Sequence, residues 1–350
     1  MEKNKFNPNN AVMANGNIFG FPGNVDEADI VLIPVPWDAT TSHGKGSSNG
    51  PQAILQASIQ LDFFHHELDR AYETKVYMTE ISSEWKKINN GCSEKSTEYI
   101  RYLEQEGEEK ALGYFKNEIE HINHIQSILT SNLKDRCTEL LEKHKIVGII
   151  GGEHSTSLGL IQALNDKFEN FGILQIDAHA DLKDSYLGFD QSHASSMRNV
   201  LSTCPQMTKL VQMGVRDLSE EEYNYAENDQ RISTYYDWNI KKDILKGRLW
   251  NDTVGEIIDE LPNDIYISFD IDGLKPFLCP NTGTPVAGGF ELHEIQLLFS
   301  EIEASGKNII GFDLCEVSPG DDNQIDANFG AQTLWEMVCY AEKSRRRNKK

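Results

Sequence analysis

The chain has 350 residues and a formal net charge of −22, from 33 lysine and arginine against 55 aspartate and glutamate. That length can bury a full core within one α/β unit. The acidic balance argues against a surface that binds nucleic-acid phosphate and favours cationic ligands through long-range attraction, although a well-solvated acidic surface accounts for most of it. Six cysteines (Cys92, Cys137, Cys204, Cys279, Cys315, Cys339) are scattered without a Cys-x-x-Cys pair and read as buried, reduced thiols rather than a disulfide or zinc framework. Met1–Lys5 lacks an apolar signal core and no run reaches the ~18 apolar residues of a membrane span, so a cytoplasmic location is expected.

Residues 1–27, rich in Asn and Gly, read as an N-terminal arm. Ile30–Pro36 reads as the first strand, and its prolines suggest an edge position or a bend near the strand end. The loop Gly44–Pro51 lacks the order of a phosphate-binding P-loop and is expected to turn into a helix at Gln52–Ser58. His65 and His66 are expected on a helix surface or in the core. Residues 82–145 are strongly charged, and the spacing of Ile119, Ile122, Ile125 and Leu129 predicts one or two amphipathic helices. His121 and His124 stand there without a carboxylate strand and read as surface histidines. Next, Ile146–Ile150 is a strand, followed by Gly151-Gly152-Glu153-His154-Ser155 and a helical run Leu158–Leu164. This puts His154 at the C-terminal edge of a sheet, where open α/β folds hold their ligands.

The strand Ile173–Ile176 ends in Asp177-Ala178-His179-Ala180-Asp181, and a loop continues to Ser192-His193. If the chain stays extended, Asp177, His179 and Asp181 point to one side. Buried carboxylates so gathered would take up protons unless a cation sat among them. Leu210–Val215 is another strand, ending in Arg216-Asp217 and leading to an acidic helix at Glu220–Glu227; a further helix lies near Val254–Leu261. The strand at 265–273 again finishes in carboxylates two apart, Asp270 and Asp272. The loop 279–289 is long enough to wall a site. A helix at Leu292–Ala304, a strand at Ile309–Val317 and a last helix at Ala331–Glu342 complete the order, and the basic run 343–350 reads as a solvated, disordered tail.

His154, Asp177, His179, Asp181, Asp270 and Asp272 are too many ligands for one zinc and suit two metals bridged by shared carboxylates. Oxygen-rich ligation favours manganese, with nickel or cobalt as alternatives. Two such ions can ionise a bridging water near neutral pH, so hydrolysis is the expected reaction class.

Taken together, Gly-Gly-Glu-His-Ser at 151–155, Asp-Ala-His-Ala-Asp at 177–181, Ser-His-Ala at 192–194, Ser-Phe-Asp-Ile-Asp-Gly at 268–273, Thr-Gly-Thr-Pro at 282–285 and Gly-Phe-Asp-Leu-Cys-Glu-Val at 311–317 resemble the ureohydrolase family of arginases and agmatinases. The resemblance spans roughly residues 28–340. It implies a three-layer α/β/α sandwich around a central, mostly parallel β-sheet, a binuclear manganese centre and a homo-oligomer, trimer or hexamer. By matching position it implies that His154, Asp177, Asp181 and Asp270 hold one metal. His179 and Asp272 hold the other, with Asp177 and Asp270 bridging. It also implies that Asp181 and His193 handle protons and that Glu316 pairs with a guanidinium. These roles agree with imidazole's tuning near neutrality and with the match between a carboxylate and a guanidinium fork. Asp313, three residues before Glu316, is expected to support the site from behind.

The implied reaction is attack of a metal-bridging hydroxide on a guanidino carbon, giving urea and an amine. The loop 182–198 lacks the Asn- and Thr-rich run with which arginases hold an α-amino acid, which favours agmatine or a similar cationic substrate. Lys275 stands where the family has Asp in an Asp-Gly-x-Asp-Pro turn. The helical, charged segment at 82–145 is long enough to select another substrate, so arginine, guanidinobutyrate, free guanidine and formimidoylglutamate remain as alternatives. A metal-free regulatory relative would have lost a ligand, and none of the six is lost.

Overall fold

The computed structural model describes residues 6–320 and 324–348. The first five residues of the expected arm and the last two of the expected tail lie outside this range. Within it, eight strands alternate with helices. The strands are β1 Ile30–Pro34, β2 Val76–Met78, β3 Ile146–Ile150, β4 Phe171–Ile176, β5 Met207–Met213, β6 Ile232–Tyr235, β7 Asp264–Asp270 and β8 Asn308–Cys315. The helices are α1 Gly50–Ser58, α2 Ser83–Glu106, α3 Glu108–Tyr114, α4 Lys116–Glu142, α5 Leu158–Lys167, α6 Ser196–Thr203, α7 Glu220–Asn228, α8 Asp237–Leu245, α9 Trp250–Glu260, α10 Leu292–Ala304 and α11 Ile325–Asn348.

All strands join one parallel sheet in the order β2-β1-β3-β8-β7-β4-β5-β6. Period-2 alternation divides their side chains between two faces. Ile30, Leu32, Leu174, Ile176, Ile267 and Phe269 enter one core beneath α1, α9, α10 and α11. Val31, Ile33, Val147, Ile149, Ile173 and Tyr266 enter the other, beneath α4, α5 and α6. Burial on both faces is what a parallel sheet requires, and it makes the fold the expected α/β/α sandwich. β1 lies between β2 and β3, so its prolines do not mark an edge; Pro34 ends the strand, where the ladder needs no further donor.

Four further features differ from the sequence reading. Residues 82–145 form three helices: Ser82 caps α2, accepting from Trp85 N–H at 3.1 Å, and Gly107 at φ 87° breaks it from α3. The short strands β2 and β6 and the helices α6 and α8, the first of them starting inside the expected 182–198 loop, are not legible in the sequence because their apolar patterns are too brief to declare a period. His65 and His66 lie on a loop, not a helix, with His65 Nε2 3.2 Å from Glu336. The basic run is ordered through 348: it continues α11, with Ser344 buried and Lys343 bound to Glu67 and Glu303 at 3.0 and 2.9 Å. Arg345 pairs with Asp29 at 3.0 Å and Arg347 with Glu303 at 2.9 Å. Positive charge at the helix C-terminus is also favoured by the helix dipole.

The described remainder of the arm is largely irregular and exposed, but residues 17–21 are buried. Phe19 and Phe21 are buried edge-on against Phe63 and Trp335. The six cysteines are all buried and free. No helix among the described residues is long and apolar enough to cross a membrane.

The chain leaves β3 through Gly151-Gly152, which passes directly over the β1 exit: Gly152 N–H donates to Val35 O and Glu153 N–H to Trp37 O, both at 2.8 Å. A methyl at Gly152 would lie 1.8 Å from the Trp37 carbonyl oxygen, a backbone atom that cannot swing away. Gly152→Ala is therefore expected to cost about 3 kcal/mol or more, read as a fall in the denaturant midpoint or as failure to fold.

Candidate metal centre

His154 opens a short 3₁₀ turn beyond β3 and is 1% exposed. Its Nε2 lies 2.8 Å from Ser268 Oγ, with Asp313 3.7 Å away behind it. This commits Nε2 to the protein and leaves Nδ1 facing inward, the arrangement that orients metal-binding imidazoles. Nδ1 sits 2.9 Å from Asp181, 3.1 Å from Asp177 and 3.6 Å from Asp270, yet it is aligned for a hydrogen bond with none of them. The donor atoms surround a point rather than pointing at one another.

The carboxylates are held by backbone amides. Asp177 Oδ1 accepts from His179 N–H at 2.7 Å, Asp270 Oδ1 from Asp272 N–H at 2.9 Å and Asp272 Oδ1 from Ala178 N–H at 3.0 Å. A buried ladder braces Asp177 from the side: its Oδ2 accepts from Gln175 at 2.8 Å, Gln175 accepts from Gln212 at 2.7 Å, and Gln212 accepts from Thr234 at 2.9 Å. Those three side chains are cross-strand neighbours on β4, β5 and β6. Arg216 stitches the Asp272 turn to the 279–289 loop, donating to the carbonyls of Asp272 at 2.6 Å and Val286 at 3.1 Å.

All six expected ligands are thus brought together at the C-terminal ends of β3, β4 and β7. Alternation along an extended strand does not bring them there. β4 ends at Ile176, before the first ligand, and Asp181 adopts a left-handed φ of 55°, which returns its side chain to His154. Likewise Asp270 ends β7 while Asp272 lies in the following 3₁₀ turn. Two groups have ligand atoms mutually within 4.8 Å, His154 with Asp177 and Asp270, and Asp177 with His179 and Asp272, so Asp177 is shared. His179 Nδ1 is 3.0 Å from Asp272.

The electrostatics call for cations. Burial and repulsion from Asp272 and Asp177 push the Asp270 carboxyl well above its usual range, and burial with repulsion from Asp177 pushes Asp181 up to about 7. Against the opposing effect of burial, Asp272 and Asp177 draw His179 up to about 12, and Asp177 and Asp181 raise His154 well above its ordinary value. Asp177 itself, against burial, is lowered by these two imidazoles. With no cation among them, Asp270 and Asp181 are thus driven toward the protonated form; divalent ions would let all four carboxylates ionise, and they fit the O/N donor set.

Two further expected residues stand at the rim. Glu316, at the end of β8, has a left-handed φ of 61°, held by its N–H to Gly152 O at 2.8 Å and by Thr282 donating to its carbonyl at 2.9 Å. Its Oε1 accepts the His154 N–H at 3.1 Å, and burial with repulsion from Glu153 raises its pKa well above the usual range. His193, half-buried at the start of a 3₁₀ turn, has Nε2 3.3 Å from Ser42 Oγ and its ring edge-on to Tyr186. Burial and nearby positive charge keep it below its ordinary value. His121 and His124 are exposed on α4, as expected.

Sequence reasoning assigned no role to Ser268, Gln175, Gln212, Ser42 or Thr40. Ser268 and Gln175 were within reach: each stands two residues before an expected ligand, Ser268 on the same face of β7 as Asp270 and Gln175 just before the end of β4. Gln212, a lone amide in an apolar strand, gains meaning only from its neighbour across the ladder.

The chain matches the profile described as the Arginase family over residues 28–339. It is 30% identical over 309 residues to an N(1)-aminopropylagmatine ureohydrolase of Thermus thermophilus, covering 88% of each chain. It is 28% identical over 316 residues to an agmatinase of Bacillus subtilis, covering 89% of this chain and 92% of that one. A hypothetical agmatinase from Burkholderia thailandensis superposes with a TM-score of 0.72 at 20% identity, covering 97% of this chain and 94% of the other, an agreement of fold. A match of that extent, over a range that includes the gathered histidines and aspartates, assigns this chain to the arginase family of ureohydrolases.

Proposed function

We propose that this chain is a binuclear-metal hydrolase that cleaves the guanidino group of a small cationic, agmatine-like substrate to urea and an amine. The observation that carries the reading is the pair of His/Asp groups sharing Asp177, with the buried Glu316 carboxylate beside them. His154, Asp177, Asp181 and Asp270 would hold one ion, and His179 and Asp272 the other, with Asp177 and Asp270 between them; manganese is the metal we expect. Such a pair, when bound, supplies a water ionised near neutral pH as the nucleophile.

The protein's own groups do the rest. Among the described residues no lysine or arginine forms an ion pair with Glu316, so a guanidinium would provide the cation that its buried carboxylate lacks. Binding there holds the guanidino carbon against the ligand cluster. Asp181 and His193 then carry protons toward the departing amine, His193 being steadied by Ser42. Water adds to the carbon, the C–N bond to the chain-bearing nitrogen breaks, and that nitrogen leaves with the delivered proton.

The basic side chains in the surrounding loops support a substrate without a carboxylate, because each is engaged within the chain. Lys183 pairs with Glu222 at 2.9 Å, Lys275 with Glu291 at 2.7 Å, and Arg198 stacks on Tyr225 at 3.6 Å. Lys45 is held by the carbonyls of Asp38 and Ala39 at 3.0 and 3.2 Å. The names of the related aminopropylagmatine ureohydrolase and agmatinase point the same way.

Assay of agmatine, aminopropylagmatine, arginine, guanidinobutyrate, guanidine and formimidoylglutamate with manganese or nickel is expected to give urea fastest from the cationic amines; formamide from formimidoylglutamate as the main product would overturn the reading. Purified active protein should hold two divalent ions per chain, and a hundredfold excess of metal over Kd should stabilise chelated protein by about 2.7 kcal/mol per site, read as a rise in Tm. Asp177→Ala or Asp270→Ala should lower kcat by roughly a thousandfold or more through lost metal. Glu316→Gln keeps an acceptor for His154 but loses the charge, so KM for agmatine should rise about tenfold or more with metal content unchanged.

A further inference from the structure

The loop between β1 and α1 carries two contacts to the site. Ser42 lies 3.3 Å from His193 Nε2, and Thr40 donates to Glu153, beside His154, from its N–H at 3.0 Å and from its hydroxyl. At its outer side a cavity of about 580 Å³ opens along Lys45, Gly46 and Asn49 toward α2. Lys45 ties the loop to the carbonyls of Asp38 and Ala39, and one carboxylate joins it to α2. Asp38, 3% exposed, accepts at Oδ2 from the N–H groups of Gly46 and Ser48 at 3.0 and 3.2 Å, closing the loop on itself. At Oδ1 it accepts from Asn89 at 2.9 Å and Ser93 at 3.2 Å, both on α2. Asn89, 1% exposed, returns a bond by accepting the Asp38 N–H at 2.7 Å.

We propose that Asp38, clamped by Asn89 of α2, is a positioning residue: it sets the loop that brings Ser42 to His193 and Thr40 to Glu153, and so ties the charged helical segment to the chemistry. The inference rests on the hydrolase reading above.

The clamp has only one satisfied arrangement. Asn89 cannot turn its amide, because Nδ2 would then meet the Asp38 N–H. Asp38→Asn places a new NH₂ against either Asn89 Nδ2 or the amides of Gly46 and Ser48, donor against donor in a buried place. Asn89→Asp sets two carboxylates together. Exchanging both restores every bond: the new amide oxygen accepts from Gly46 and Ser48, its nitrogen donates to the new carboxylate, and the Ser93 hydroxyl rotates to accept.

The test uses the full chain loaded with manganese, as wild type, Asp38→Asn, Asn89→Asp and the double exchange. Bound metal, kcat and KM on agmatine, and the rate of tryptic cleavage after Lys45 are measured. Each single variant should keep its two ions and a KM within about threefold, lose about tenfold or more in kcat, and be nicked faster after Lys45; the exchange should recover both kcat and protection to within about threefold. Wild-type kcat in Asp38→Asn, or an exchange no better than the singles, overturns the proposal. Should a single variant fail to fold, Ser93→Ala, which removes one donor and spares the carboxylate, is read in its place with an expected loss of about two- to fivefold in kcat, and an unchanged kcat overturns the proposal. If wild type hydrolyses none of the guanidino compounds, the hydrolase reading fails by itself. Cleavage after Lys45 then still decides the clamp: equal nicking in all four proteins overturns it.

Discussion

The structure depends on four buried carboxylates and two imidazoles being held together at one sheet edge. Asp177, Asp181, Asp270 and Asp272 are each at most 5% exposed and face two imidazoles. Isolated in such surroundings, they would protonate or unfold the edge. Backbone amides hold Asp177, Asp270 and Asp272, the glutamine ladder braces Asp177, and Asp181 faces the His154 imidazole. The cluster is therefore a receptor for cations before it is anything else, and the fold supplies the rigidity that holds like charges together.

Parallel topology explains the meeting place. The ligand-bearing strands are distant in the chain, yet β3, β8, β7 and β4 are consecutive in the sheet. Every parallel strand delivers its C-terminus to the same edge, so His154, Glu316, Asp270 and Asp177 arrive together. What each does on arrival is decided by the turn that follows. The glycine pair lets the chain pass over Trp37, and the left-handed residues Asp181 and Glu316 redirect side chains that extended geometry would send elsewhere. Backbone strain at these two acidic residues is held by hydrogen bonds from the surrounding turns.

Support comes from far outside the motifs. The ladder from Thr234 through Gln212 and Gln175 reaches Asp177 across three strands, and α2 reaches the His193 side through Asp38 and the loop it closes. At the other end of the sheet, α11 docks its basic turn on Glu67, Glu303 and Asp29. These are polar contacts, most of them buried or half-buried, between segments that periodicity treats as unrelated.

The division of information follows from range. Local chemistry was legible in the sequence: strands ending in Asp-x-His-x-Asp and Asp-x-Asp, the Gly-Gly turn before His154, and the apolar runs of the parallel strands all act over a few residues. So the candidate ligands and most long elements could be read directly, and the sandwich architecture followed from the family resemblance those motifs carry. Tertiary structure alone decided how the ligands converge, because the left-handed turn at Asp181 and the 3₁₀ turn at Asp272 are held by contacts with other strands. It also decided that the basic run 343–348 is helix rather than free tail, since the acids that neutralise it lie up to hundreds of residues away. The sequence by itself determines which groups are available for chemistry; their orientation, and the partners that keep buried charge in place, exist only once distant strands share an edge.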